Sequence, residues 1–228
     1  MGKKINPISF RLGIVTDWSS KWFNEREYSH FLEMDLAIEK YIMENLKSSA
    51  VKDVNISRSE NSLKIKILSG RPGMIIGRGG SGIEELKNKL SALLMSLRSK
   101  QKKGKKKSKL EIEIEVEEVK NFEEHAALVA QSVAEQIEKR VAFRRVLKTT
   151  LDSVSRQSNV KGVKIMVAGR LNGAEMRSRE WVIEGGIPLH TLRANVDFAK
   201  RSAHTNCGTV GVKVWIYKGE VFKKDKRS

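Results

Sequence analysis

A glycine-rich stretch constrains the fold of this chain more than any other feature of its sequence. Residues 75–86 read IIGRGGSGIEEL, in which Gly77, Gly79 and Gly82 have the G-x-G-x-x-G spacing of loops that approach a dinucleotide pyrophosphate. A dinucleotide fold also needs a buried strand before the first glycine and an acidic residue about 20 positions after the loop. Here only three apolar residues separate Gly77 from the turn sequence RPG, and the later region is rich in lysine. The stretch therefore argues against a nucleotide cofactor.

The segments around the glycines predict alternating helices and strands. Apolar residues at helical spacing and apolar-polar alternation predict helices at 27–46 and 83–97, strands at 51–57, 62–69 and 110–119, and a turn at Glu60-Asn61. The first two strands are short, adjacent and separated by that turn, which indicates an antiparallel hairpin. The third, LEIEIEVEEV, has one apolar and one acidic face, which is typical of an antiparallel or edge strand.

The second half of the chain predicts two helices followed by four strands. A helical pattern extends from Phe122 to Ser158 and changes register near 138–140, so a break in the helix is expected there. Gly, Asn and Pro then separate four strand-like segments, at 161–170, 175–185, 192–201 and 209–219. These elements indicate a second domain.

The charge of the chain favours nucleic acid as a partner. Lys and Arg total 44 against 27 Asp and Glu, which gives a net charge of +17. Such a charge attracts polyanions over long distances. Eight of the twelve residues at 98–109 are basic, which predicts a mobile basic loop. Aromatic residues make up only 6% of the chain, so phosphate contacts are expected to outweigh base stacking.

Several functional classes are not supported by the sequence. Cys207 is the only cysteine, and His190 and His204 complete neither a metal site nor a catalytic arrangement, so no metal, no cofactor and no enzymatic activity are expected. The chain has no apolar run suited to a signal peptide or a membrane span, which predicts a cytoplasmic protein with no membrane contact. Trp181 and Trp215 lie in predicted strands and are expected in the core.

Written as I-I-G-x-x-G-x-x-I, the glycine stretch resembles the signature loop of a KH domain. That loop clamps the backbone of about four nucleotides, since its glycines let the main chain approach the sugar-phosphate. The predicted element order resembles the type II arrangement of that family. This assigns Gly77, Arg78, Gly79 and Gly80 to RNA binding, with Arg71 beside them. A glycine-rich helix connection without a ligand remains the alternative.

Longer motifs give a more specific resemblance across nearly the whole chain. They are GKKINPISFRLGI at 2–14, GRLNGAEMRSREW at 169–181, IPLHTLRANVDF at 187–198 and GVKVWIYKGE at 211–220. Together they resemble the S-three family, the universal KH-domain proteins of the small ribosomal subunit. Asn172 stands where that family commonly has a second glycine, which is tolerable if the backbone there is left-handed.

The resemblance implies an α+β chain in which a type II KH domain precedes an α/β domain with helices packed on a mostly antiparallel sheet. The implied segments are an N-terminal rRNA-contacting segment at 1–17, a KH domain at 18–119, a C-terminal domain at 120–219 and a basic tail at 220–228. It also implies a structural role in the head of the small subunit, where the chain binds rRNA, contacts neighbouring head proteins and lines the path by which mRNA enters.

The FRRVLK stretch resembles the family's basic helix segment for unwinding mRNA, which carries that role to Arg144, Arg145 and Lys148. Arg140, Arg144 and Lys148 are spaced i, i+4, i+8, so they are expected along one side of a helix, although a solvated face would have the same spacing. Further RNA contacts are predicted at Lys3, Lys4, Arg11, Arg71, Lys102, Lys103, Lys105, Lys106, Lys107 and Arg140.

Two other functions compete with the ribosomal one. A free KH-type regulator would bind particular transcripts, but it leaves the second domain unexplained. A nucleic-acid-cleaving enzyme would need clustered carboxylates for a metal ion, whereas acidic residues such as Asp197 are scattered.

Overall fold

The computed structural model describes residues 4–59, 62–101 and 111–222. The helices are α1 (Pro7–Phe10), α2 (Tyr28–Asn45), α3 (Pro72–Ile76), α4 (Ser81–Gln101), α5 (Ala126–Glu138) and α6 (Phe143–Ser155). The strands are β1 (Ser20–Lys21), β2 (Val51–Arg58), β3 (Ser62–Ser69), β4 (Glu111–Glu118), β5 (Gly162–Gly169), β6 (Ser178–Gly185), β7 (Ala194–Thr205) and β8 (Gly208–Glu220). In the part of the chain described, no helix is both long and apolar enough to cross a membrane.

The chain divides into two units. One is Ser19–Lys120, and the other joins the N-terminal residues up to Trp18 to those from Asn121 onward. The predicted boundaries after residues 17 and 119 each lie one residue from these divisions. The N-terminal segment, which was predicted as a separate rRNA-contacting segment, belongs to the same unit as the C-terminal domain.

The first unit is a four-stranded sheet in the order β1-β2-β3-β4. Its central pair, β2 and β3, is antiparallel and confirms the predicted hairpin; the turn predicted at Glu60-Asn61 lies outside the described residues. Helices α2 and α4 contribute buried side chains to one core with this sheet, among them Ile38, Ile42, Leu63, Ile65, Ile67, Leu90 and Leu94.

Strand β4 is an edge strand, as predicted, but the antiparallel alternative is wrong because β4 pairs with β3 in parallel. Helix α4 connects the two strands and returns the chain to the same end of the sheet, which is the connection that parallel neighbours require. Lys64 contacts Glu115 at 2.5 Å and Lys66 contacts Glu117 at 2.7 Å. These ion pairs link the polar faces of the two strands.

Helix α4 ends at Gln101, so the first residues of the basic segment at 98–109 are helical rather than part of a loop. Basic residues have high helix propensity, and the helix already anchors its apolar side through Leu90 and Leu94. Residues 102–110 lie outside the described residues, so Lys102, Lys103, Lys105, Lys106 and Lys107 stay predictions.

The second unit packs α5 and α6 on one face of an antiparallel sheet with the order β6-β5-β8-β7. All three strand pairings in this sheet are antiparallel, as expected. The predicted break between the helices is confirmed: α5 ends at Glu138, and Arg140 adopts a left-handed conformation with φ 62°. Asn172 is also left-handed, with φ 53°, which explains why asparagine is accepted there.

Arg11 is a correction to the sequence prediction. It was expected to contact RNA, but it is 1% exposed. Its guanidinium donates hydrogen bonds of 3.0 Å to the carbonyl oxygens of Pro7, Pro188, Leu189 and Thr191. Burial lowers the pKa of Arg11 from its ordinary value. The side chain ties the N-terminal segment to the loop before β7 and is not available to phosphate.

We expect Arg11→Met to destabilise the second unit by about 3 kcal/mol, because it leaves several carbonyl oxygens without their donor. Urea denaturation followed by circular dichroism measures this free energy. Lys4→Met is the control, since Lys4 is exposed and surface substitutions change stability by about 0.5 kcal/mol or less. An Arg11→Met chain of unchanged stability and weakened RNA binding would contradict the structural role.

Candidate nucleic-acid interface

The glycine loop connects α3 to α4 through a tight left-handed turn. Gly77 ends α3 with φ 70°, and Gly79 and Gly80 follow with φ 62° and 85°. Residues with a Cβ rarely adopt these angles, so this path favours glycine. Helix α4 begins at Ser81, which places the amides of its first turn at the loop.

The glycines of this loop serve two different purposes. A Cβ on Gly82 would lie 2.5 Å from the carbonyl oxygen of Ile75, and one on Gly77 would lie 3.0 Å from the amide nitrogen of Gly82. These two glycines let α3 and α4 approach each other closely. A Cβ on Gly79 or Gly80 would meet nothing within 4 Å. The backbone at 79 and 80 therefore faces open space, which leaves room for a ligand.

Two exposed arginines precede Gly79 and Gly80 in this segment. Arg71 begins the segment, and Arg78 lies in the turn itself. The Arg71 amide donates to the Ser69 hydroxyl at 3.0 Å, and that hydroxyl donates to the Ser49 carbonyl at 2.6 Å, so the start of the loop is fixed to the sheet. No ion pair between described residues involves either guanidinium. The loop combines accessible main chain with positive charge, which suits a phosphate backbone.

Helix α6 presents a second basic surface. Phe143, Val146 and Leu147 are buried against the sheet, whereas Arg144, Arg145 and Lys148 are exposed. Together with Glu180, Trp181 and Val182 of β6, these three cations line an open groove of about 560 Å³, which we call the α6 groove. Arg144 contacts Glu180 at 3.2 Å. No ion pair involving Arg145 or Lys148 is found within the described ranges.

Arg140 does not share this surface, so its predicted place on the helix face is wrong. Helix α6 begins only at Phe143, and the left-handed Arg140 lies in the preceding turn. It lines a different cavity of about 570 Å³ with Arg170 and Cys207. Residues spaced i, i+4, i+8 share one side of a helix only if the helix is continuous. The break before Phe143 separates Arg140 from Arg144 and Lys148.

The remaining predicted contacts are distributed as follows. Lys4 is exposed in the second unit, close enough to Lys164 that its charge contributes to lowering the pKa of that lysine. Lys3 lies outside the described residues.

His190, His204 and Cys207 are exposed, and no metal-binding group of three His, Cys, Asp or Glu residues occurs among the residues described. Asp197 accepts a 2.9 Å hydrogen bond from the Ala126 amide and thereby caps α5.

Trp181 was predicted in the core, and this is wrong. It is 50% exposed on the edge strand β6, whereas Trp215 on the central strand β8 is 7% exposed, as predicted. Strand alternation does not say which strand lies at the edge of the sheet. Two arginines shortly before it, Arg177 and Arg179 in MRSREW, were the available signal, and only the fold turns them into a surface.

Comparison with known protein families gives two matches in chain order. The KH domain matches residues 37–124, and the domain described as ribosomal protein S3, C-terminal domain, matches residues 133–216. Three similar proteins, each named small ribosomal subunit protein uS3, come from Desulfitobacterium hafniense, Synechocystis and Legionella pneumophila. The first is 43% identical over 99% of this chain and 96% of its own length. The second is 45% identical over 97% of this chain and 87% of its own length. The third is 42% identical over 100% of this chain and 98% of its own length.

The chain belongs to the uS3 family of ribosomal proteins. This confirms the resemblance drawn from the glycine loop and the four longer motifs. It also confirms the fold class, a KH domain followed by the family's C-terminal α/β domain.

We expect the double variant Gly79→Asp, Gly80→Asp to weaken RNA binding without unfolding the chain, since both carboxylates would face a phosphate backbone. Gly79→Asn with Gly80→Asn is the matched control, because asparagine has the same shape and tolerates left-handed φ but is neutral. The affinity of the Asp variant should fall about tenfold below that of the Asn variant, a difference of about 1.4 kcal/mol. Equal affinities, with native circular dichroism for both, would show that the loop does not meet phosphate.

Proposed function

We propose that this chain is a structural component of the small ribosomal subunit, that it binds the subunit's rRNA, and that its α6 groove holds mRNA as it enters. The observation that carries the proposal is identity of 42% to 45%, over nearly the whole chain, to proteins named small ribosomal subunit protein uS3. The proposed role is cytoplasmic, needs neither cofactor nor catalysis, and includes contacts with neighbouring proteins of the subunit head.

The glycine loop supports the rRNA part of the proposal. Its open main chain at Gly79 and Gly80 leaves space for a sugar-phosphate backbone, and the exposed Arg71 and Arg78 before these glycines supply positive charge. Main-chain contacts of this kind fix position and carry little sequence information. Such contacts suit a protein that holds one defined RNA in place. Lys4 and the lysines at 102–107 are proposed as additional contacts on the same electrostatic grounds.

The α6 groove supports the mRNA part. Arg145 and Lys148 are exposed, while Arg144 contacts Glu180 in an ion pair whose partners are 75% and 39% exposed. An ion pair this exposed stabilises the fold by about 1 kcal/mol or less. Arg144 can therefore exchange Glu180 for an RNA phosphate at little cost. Three cations along one helix can then hold consecutive phosphates of a strand while the duplex ahead of it opens.

Sedimentation tests membership of the ribosome. When a lysate that contains the native chain is separated on a sucrose gradient at moderate salt, the chain should migrate quantitatively with small subunits. Migration as a free protein bound to a few transcripts would favour a KH-type regulator instead. A chain absent from both fractions would contradict RNA binding altogether.

We expect Arg144→Ala, Arg145→Ala, Lys148→Ala to slow translocation through a stable mRNA hairpin while sparing translation of an unstructured message. Alanine keeps helix propensity high, and the buried Phe143 and Leu147 are untouched, so assembly should persist. Single-ribosome or toe-printing measurements on matched messages give the two rates.

The control variant is Lys139→Ala, Arg156→Ala, Lys161→Ala, which removes the same charge from exposed positions that do not line the α6 groove. It should translate the hairpin message at the wild-type rate. Equal rates for the two variants would assign any effect to total charge, and failure of the groove variant to assemble would indicate an rRNA contact instead.

A further inference from the structure

The face of the C-terminal sheet opposite α5 and α6 carries basic and aromatic side chains that the proposed function does not use. Val163, Ile165 and Val167 of β5 are buried in the core that includes the two helices, so Lys164 and Met166 between them point to the other side. We call that side the outer face. The strand register extends it in two rows: Ile183, Lys164, Trp215 and Phe198 in one, and Trp181, Met166, Lys213 and Lys200 in the other.

The outer face carries basic side chains beside a small apolar cluster that includes Met166, Phe198 and Trp215. Lys164, Lys200 and Lys213 belong to the two rows, and Arg179 lies two residues before Trp181 on the same side of β6. Neither of the two rows contains Asp or Glu. Among the described residues, no ion pair involves any of the three lysines. Burial is the main reason that the pKa of Lys164 is lowered, and the positive charges of Lys4 and Arg179 lower it further.

An exposed aromatic ring lies among these basic side chains. Trp181 is 50% exposed, and the guanidinium carbon of Arg179 lies 5.4 Å from the centroid of its ring. Trp181 also lines the α6 groove, so it stands where the groove meets the outer face. A second ring, Trp215, has the Lys164 amine 5.4 Å from its centroid but is nearly buried. Trp181 is thus the tryptophan of this face that can receive a flat ligand.

We propose that the outer face binds single-stranded RNA, with an unpaired base stacked on Trp181 and its phosphates held by the flanking Arg179, Lys164, Lys200 and Lys213. Charge complementarity selects a polyanion, because the face offers four cations and its two rows contain no carboxylate. The exposed ring selects an RNA whose bases are free, since bases within a duplex are already stacked. A strand leaving the α6 groove past Trp181 would meet this face next.

This proposal extends RNA binding to a surface that the ribosomal role does not require. It can be wrong while the proposed function is right. Arg144, Arg145 and Lys148 act in the α6 groove through phosphate alone. A defect of the groove variant on hairpin messages would therefore stand even if Trp181 proved irrelevant. Equally, stacking on Trp181 would be measurable in the free protein if the chain never entered a ribosome.

The test uses the full-length chain and a fluorescent, unstructured RNA of 12 nucleotides, alone or annealed to its complement. Anisotropy should show that Trp181→Ala weakens binding of the single strand by roughly 5- to 150-fold, the effect of losing one stacked base. Binding of the duplex should change less than twofold. Trp181→Phe retains a ring and should recover most of the affinity.

Ile183→Ala is the matched control, because Ile183 lies two residues away on the same strand and face and is also 50% exposed, but it has no ring. It should bind like the wild type. Unchanged single-strand binding by Trp181→Ala would overturn the proposal. An equal loss for Ile183→Ala would also overturn it, because the effect would then not require an aromatic ring. So would an equal loss for the duplex, because binding would then not depend on unpaired bases.

Discussion

This protein carries an excess of positive charge. The surfaces on which the fold leaves that charge without neutralising carboxylates determine how the protein works. Its net charge of +17 cannot be balanced from within, so some surfaces must carry cations without carboxylates. The polar side of the first sheet is balanced: Lys64 and Lys66 face Glu115 and Glu117 across the β3–β4 pair. The outer face of the second sheet has Lys164, Lys200 and Lys213 and no acidic residue in its two rows. Self-repulsion on such a face is relieved by a polyanion.

The same contrast separates structural from functional residues of one chemical type. The guanidinium of Arg11 donates hydrogen bonds to four carbonyl oxygens and holds the N-terminal segment in place. Arg144 is exposed and only weakly held by Glu180. Among the glycines, Gly82 permits close contact between two helices, whereas Gly79 and Gly80 leave an accessible main chain. In each case the surroundings decide the role, and the residue type does not.

Much of the fold could be predicted because its signals are local. The β2–β3 hairpin, the break after α5 and the four C-terminal strands follow from periodicity and punctuation within a few residues. The direction of β4 could not be predicted, because alternation is the same for parallel and antiparallel strands. Arg11, Arg140 and Trp181 were placed wrongly for a related reason: burial, helix ends and sheet edges depend on residues distant in sequence. The left-handed path of the loop could be anticipated because the glycine motif includes its own backbone geometry, whereas RNA binding by these glycines stays a prediction.

The salt dependence of RNA binding tests most directly whether unneutralised cations are the ones that meet phosphate. For single strands, each phosphate contact contributes about −0.7 to the slope of log affinity against log salt. Replacing Lys148 and Lys200 by glutamine should make that slope shallower by about 1.4, while replacing the ion-paired Lys64 and Lys66 should leave it nearly unchanged. An equal change for both pairs would contradict the account, since it would mean that total charge, and not its placement by the fold, determines binding.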